Sequence, residues 1–183
     1  MTNQTFALKP FVAGESLPNV QITGSIARYA NQLSLRYQLL GDLKPVIIPR
    51  LSDTRGRKDE LWENTCFEFF LGIVDSTEYW EFNLSPAGHW NVYHFDGYRR
   101  GMQEETAFEF LPFSIEEQSH SLTVILDVDL GKIMADNQVI DVGITSVILC
   151  VDNQLSYWAL THEGGEADFH LRDSFIIQLS KVS

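Results

Sequence analysis

Residues 61–98 constrain the fold more than any other part of the chain. Residues 66–74 and 79–84 are strand-type runs that meet at Asp75-Ser76, a composition suited to a tight hairpin. With that pair as a two-residue loop, Val74 opposes Thr77, and Leu71, Phe69 and Phe67 fall opposite Trp80, Phe82 and Leu84. That face is wholly apolar and has to be covered. Because strand side chains alternate, the other face carries Glu68 and Phe70 from one strand and Glu81 and Asn83 from the next. Continued through Ser85-Pro86-Ala87-Gly88 with Leu84 facing His89, the meander sets Asn83 opposite Trp90 and Glu81 opposite Val92. The second face then gathers Glu68, Glu81, Asn83, Trp90 and His94. A slip of one residue in the second hairpin exchanges Trp90 for Asn91.

Strand-type runs recur at 20–28, 32–40, 90–95, 122–130, 139–151, 157–162 and 175–179. Turn-forming pairs such as Ala30-Asn31 and Asp136-Asn137 separate most of them, and only 130–135 suggests a helical turn. Neither repeats nor a Pro/Gly/Ser linker divides the chain. The expectation is all-β: one antiparallel β-sandwich domain spanning 1–183, long enough to bury roughly 70% of its unfolded surface without disulfides or metal. Cys66 and Cys150 lie in apolar runs and are expected to be buried free thiols.

Thirteen Lys and Arg stand against 25 Asp and Glu, a net charge of −12. That balance argues against nucleic acid, whose phosphates are bound by cations, and against anionic lipid headgroups. Neutral and cationic ligands, sugars among them, stay open. Residues 1–14 lack the charged and apolar regions of a signal peptide, so the expected location is cytoplasmic, with no membrane partner. The charged stretches 53–60 and 162–168 read as exposed loops.

The polar face of the meander suits a carbohydrate, since an aromatic ring covers the apolar side of a pyranose while carboxylates and amides take its hydroxyls. Glu68 and Glu81 are too costly to bury unpartnered, so they are expected in a cleft, hydrogen-bonded or holding a cation. Their proximity across the hairpin also suggests a second possibility, the carboxylate pair of a retaining glycosidase, whose members sit ~5 Å apart. His162, Asp168 and His170 are a candidate metal cluster, and Asp53, Asp59, Glu60 and Asp152 are candidate ligands for structural calcium. Tyr93, Tyr98, Arg99 and Arg100 close the meander with an aromatic and cationic cluster suited to ligand binding or to a salt bridge at the rim. No nucleophile elbow, P-loop or dinucleotide fingerprint is present.

Leu61-Trp62-Glu63-Asn64-Thr65-Cys66-Phe67-Glu68-Phe69-Phe70, followed by Tyr79-Trp80-Glu81-Phe82-Asn83-Leu84-Ser85-Pro86-Ala87-Gly88, resembles the core pattern of DOMON-like domains related to family 9 carbohydrate-binding modules. Trp158-Ala159-Leu160 and Asp168-Phe169-His170 followed by Phe175 are similar to that family's closing strands. The resemblance implies an immunoglobulin-like or jelly-roll sandwich that binds a ligand without transforming it, carbohydrate being one ligand class and haem another. It also implies tryptophans that sandwich a sugar and, in some members, structural calcium. Trp80 falls on the apolar face and is expected in the core. The expected binding residues are Trp62, Glu68, Glu81, Asn83, Trp90, Tyr98 and Arg99, with Trp90 as the stacking ring. For the haem alternative, His94, His162, Met102 and Met134 are the available axial ligands.

Overall fold

The computed structural model describes residues 3–11 and 17–180. Among them thirteen strands follow in chain order: β1 (Gln4–Ala7), β2 (Lys9–Pro10), β3 (Val20–Tyr29), β4 (Gln32–Gly41), β5 (Cys66–Ile73), β6 (Tyr79–Leu84), β7 (Trp90–Phe95), β8 (Gln103–Glu104), β9 (Phe113–Gln118), β10 (Ser121–Asp129), β11 (Ile140–Leu149), β12 (Leu155–Ala159) and β13 (Ile177–Leu179). The strands pair antiparallel in two sheets. The smaller has the order β1-β3-β4-β10-β9 and the larger β2-β12-β11-β5-β6-β7-β8, with β13 joined to β11. The helical turn expected at 130–135 is a 3-10 turn over Leu130–Lys132, capped by Asp129, which accepts from the Gly131 amide at 2.9 Å. No α-helix occurs among the described residues.

Alternation explains the smaller sheet. Ile22, Ile26, Leu33, Leu35, Tyr37 and Leu39 point inward and are almost fully buried, while their neighbours along the strands are more exposed. Across the gap they meet Phe67, Phe69, Leu71, Trp80, Phe82 and Leu84, and all twelve belong to one hydrophobic cluster. Phe69 and Phe82 stack with ring centres 4.4 Å apart. The β5–β6 register is the expected one, with Phe67 opposite Leu84, Phe69 opposite Phe82 and Leu71 opposite Trp80. Trp80 is core, as expected. Cys66 and Cys150 are both free and buried.

The β6–β7 register differs from the expected one by one residue. Ser85 donates its amide to the His89 carbonyl at 2.9 Å, leaving a three-residue connection, Pro86-Ala87-Gly88, that ends on Gly88 in the left-handed region at φ 85°. Leu84 therefore pairs with Trp90, Asn83 with Asn91 and Glu81 with Tyr93. The shift turns Trp90 inward, where it is 3% exposed, and puts Asn91 and Tyr93 on the face with Glu81. His94 likewise leaves that face and packs against Trp80, its cross-strand neighbour, with ring centres 5.0 Å apart.

Strand β5 is buried on both faces. Its inner residues meet the other sheet, and its outer residues lie under chain segments that leave the sheet and return to it. That second covering creates the site.

Candidate functional site

Two segments wall the outer face of the larger sheet. The first runs through residues 56–64. It joins the sheet edge beside Trp90, where the Lys58 amide donates to the Trp90 carbonyl and the Trp90 amide to the Gly56 carbonyl. Arg57 lies over the Trp90 ring at 4.4 Å and donates to Asn91 Oδ1 at 2.6 Å and to the Glu105 and Phe108 carbonyls. Asp59 then accepts from Asn91 Nδ2 and from the Tyr93 hydroxyl, at 2.9 and 2.8 Å. This anchoring delivers Trp62, whose ring meets Tyr93 edge-on at 5.8 Å.

The second wall is the excursion between β12 and β13. Two glycines let it dock. A Cβ on Gly72 would overlap the Arg172 guanidinium, and one on Gly143 would press on the Phe175 ring. Arg172 donates to the Ile73 carbonyl at 3.0 Å and pairs with Asp141 at 3.5 Å. Further along, Asp168 accepts from the Tyr98 hydroxyl and from Arg99 Nη2, tying the excursion to the turn after β7. Burial alone would raise the Asp168 pKa, but these bonds and one from the His170 amide bring it below the usual range. Gly72→Ala is expected to expel Arg172, to cost about 1–3 kcal/mol and to accelerate amide hydrogen exchange across 168–175 at least tenfold. Unchanged exchange there would show that the docking does not depend on the glycine.

Between the walls lies a cleft of about 730 Å³. Glu68 and Glu81 line it at the sheet, with Trp62, Phe70, Phe95, Tyr157 and Phe169 as its aromatic rings and His170, Arg99 and Met102 among the rest. Glu68 pairs across the strands with Asn83 and Thr145, while Glu81 pairs with Phe70 and Tyr93, so the two carboxyls are diagonal neighbours. Asn83, opposite Glu68 on the neighbouring strand, donates Nδ2 to Glu81 Oε1 at 2.9 Å. Glu68 Oε2 accepts from Thr145 Oγ1 at 3.2 Å, whereas Glu68 Oε1 and Asn83 Oδ1 are buried without a partner.

Electrostatics follow from that burial. Glu68 is 2% exposed and Glu81 5%. Loss of water, reinforced by the neighbouring Glu81 charge, holds the Glu68 pKa well above the usual carboxylate range. Burial pushes Glu81 up to about 7, against the opposing pull of the Asn83 hydrogen bond and the Arg99 charge. Two such groups titrate as a pair. His170 is pushed down to about 4, first by burial and then by Arg99. Its Nδ1 lies 2.8 Å from the Tyr79 hydroxyl, which already accepts the Arg99 amide. The Tyr79 proton is thereby directed to Nδ1, leaving the N–H on Nε2, 3.8 Å from Glu81 Oε2. At neutral pH that contact joins a neutral imidazole to a carboxyl.

Of the expected binding residues, Trp62, Glu68, Glu81 and Arg99 line the cleft. Asn83 lies buried between the two glutamates, and Tyr98 is exposed at the rim, bonded to Asp168. Trp90 is a correction, because the three-residue turn places it between the sheets. Sequence reasoning missed Tyr157, Phe169, His170 and Phe95. Tyr157 and Phe95 are legible once the strand register is known, as outward residues of β12 and β7, whereas the positions of Phe169 and His170 depend on the route of the excursion.

The candidate metal cluster does not form. His162 contacts the Lys9 carbonyl, Asp168 pairs with Arg99 and His170 contacts Tyr79, and no group of three or more metal-type ligands occurs among the described residues. Of the calcium candidates, Asp59 is engaged by Asn91 and Tyr93, and Asp152 accepts from the Gln154 amide. Among the possible haem ligands, Met134 is in the core, His94 contacts Gln103, His162 contacts Lys9, and Met102 lines the cleft.

Among solved structures, a Bacteroides uniformis ATCC 8492 protein to which carbohydrate binding is attributed superposes with a TM-score of 0.74. It has 13% sequence identity, and the match covers 98% of this chain and 86% of the other. A family 9 carbohydrate-binding module from Caldicellulosiruptor kristjanssonii in complex with cellotriose gives 0.56 at 7% identity, covering 88% and 74%; a glucose complex gives 0.55 at 9%, covering 91% and 79%. The fold is that of family 9 carbohydrate-binding modules. No protein-family model matches the sequence, and no curated protein matches it. Within the family 9 fold, the cleft described above lies on the outer face of the larger sheet, away from the core between the sheets.

Proposed function

We propose that the protein binds carbohydrate in this cleft without transforming it. The observation that carries the reading is the composition of the cleft, in which aromatic rings flank a floor of two carboxyls backed by an amide. Rings cover the apolar faces of a pyranose, and the polar floor takes its hydroxyls. The likeness to modules solved with cellotriose and with glucose supports the same ligand class. Calorimetry with mono- and oligosaccharides tests it. Saccharide binding is expected, with a loss of roughly tenfold or more in Trp62→Ala. Because Trp62 is only partly buried, the unfolding midpoint of that variant is expected to change little. Absence of binding across a broad glycan panel would end the proposal. Turnover of aryl glycosides that disappears in Glu68→Gln or Glu81→Gln would replace it with a hydrolase.

A further inference from the structure

The floor of the cleft is rich in acceptors and poor in donors. Glu68 Oε1 and Asn83 Oδ1 have no hydrogen-bond partner, the Cys66 thiol beside Glu68 is a weak donor, and Glu81 Oε2 has only His170 Nε2 at 3.8 Å. Arg99, the cation of the lining, is committed to Asp168. Glu63 adds a third carboxyl to the wall, and the chain carries a net charge of −12. Three carboxyls against one paired cation disfavour an anionic sugar.

A neutral sugar hydroxyl donates once. A protonated amine donates three times, carries the charge that two carboxyls lack, and is stabilised by the faces of aromatic rings. We propose that the cleft takes a sugar bearing a protonated amine, its ammonium seated at Glu68 and Glu81 and its ring between Trp62 and Phe169. The proposal rests on the carbohydrate reading above and names the class of sugar.

The unpartnered Glu68 oxygen is the mark of such a ligand, because a buried acceptor left without a donor is destabilising unless something fills the role. In the free protein a proton held by the pair reduces its charge. An arriving ammonium supplies that charge instead, so binding releases a proton to solvent. The groups facing the pair are Cys66, Thr145 and Asn83 from its own sheet, with Tyr37 beneath donating to the Glu68 carbonyl. Around Glu81 stand Tyr79, Tyr93, Arg99 and His170. Of these only Arg99 is positive at neutral pH, and Asp168 balances it.

Titration calorimetry at pH 7 with glucosamine, glucose, N-acetylglucosamine, glucuronate and ethanolamine is the test. Glucosamine is expected to bind at least tenfold more tightly than glucose or N-acetylglucosamine, and glucuronate most weakly. The glucosamine enthalpy is expected to vary with the ionisation enthalpy of the buffer, reporting the released proton. Glu68→Gln and Glu81→Gln are each expected to abolish the preference for the amine, with circular dichroism showing that both variants fold. Equal binding of glucose and glucosamine, or a preference that survives in both glutamine variants, would overturn the amine assignment and leave the carbohydrate reading intact. Ethanolamine binding as tightly as glucosamine would overturn it too, since the sugar ring would then contribute nothing. No binding by any of the five, together with silence across the wider glycan panel, would remove both readings.

Discussion

Trp90→Ala is expected to lower the unfolding free energy by about 3–5 kcal/mol, the range for truncating a large aromatic in a packed core. The residue is 3% exposed, belongs to the main hydrophobic cluster and pairs with Leu84. Its loss also reaches beyond the cavity it leaves. Arg57 lies over its ring and carries the anchoring of residues 56–64, including Asp59 with its bonds from Asn91 and Tyr93. Trp90→Phe keeps a ring under the guanidinium and is expected to lose clearly less. Denaturant titration of the three proteins measures this. Trp90 does not line the cleft, so any loss of saccharide affinity in the absence of denaturant is expected to come only through the loosened 56–64 segment that carries Trp62, and to be largely restored in Trp90→Phe. A variant with full stability and no affinity would put the ring back on the polar face and reverse the register.

Glu81→Gln is expected to change how stability depends on pH. In the fold Glu81 keeps its proton until about pH 7, whereas the unfolded chain releases it near 4.5. Between those values the folded state binds more protons, so this group lowers stability as pH rises, by at most about 3 kcal/mol. His170 acts in the opposite direction. Its folded pKa of about 4 lies below the reference 6.5, so the unfolded state takes up the proton first and stability falls as pH drops through that window. In the wild type the two contributions offset each other from about pH 4.5 to 6.5, and the Glu81 loss emerges above that. Glutamine removes the Glu81 contribution. Relative to wild type the variant is expected to gain stability from pH 5 to about pH 7 and to level off above it, as read from urea midpoints at pH 5, 6.5, 7 and 8. A constant offset between the two proteins would mean that Glu81 titrates as an ordinary surface carboxyl.

The β5–β6 hairpin was legible in the sequence because Asp75-Ser76 fixes a register in which every inward residue is apolar. The smaller sheet was legible in β3, β4 and β10 for the same reason of alternation. Edge strands β1, β2 and β8 were not, since four or fewer residues give too little periodicity to read. The β6–β7 register failed on turn chemistry. Ser85-Pro86-Ala87-Gly88 permits either a four-residue loop or a three-residue loop closing on Gly88, and only the second uses the glycine where its positive φ is needed. That single residue decided whether Trp90 or Asn91 faced the side of the cleft. The glutamates were identified correctly as outward residues, but their burial was not legible. It comes from the excursion after β12, whose path is determined by contacts between Arg172 and Gly72 and between Phe175 and Gly143 that lie far apart in sequence.

That excursion leaves and rejoins the same strand. The Leu160 amide donates to the Ile144 carbonyl, and Ile177 pairs with Val142, so its ends are fastened about 7 Å apart along β11. A closed Ω-shaped loop of this kind can be exchanged for another without disturbing the strands that hold it. The sandwich is then a frame and the loop a replaceable reading head. If Arg172 and Phe175 are kept as its footing, replacing residues 163–170 is the economical route to redirecting what the cleft selects.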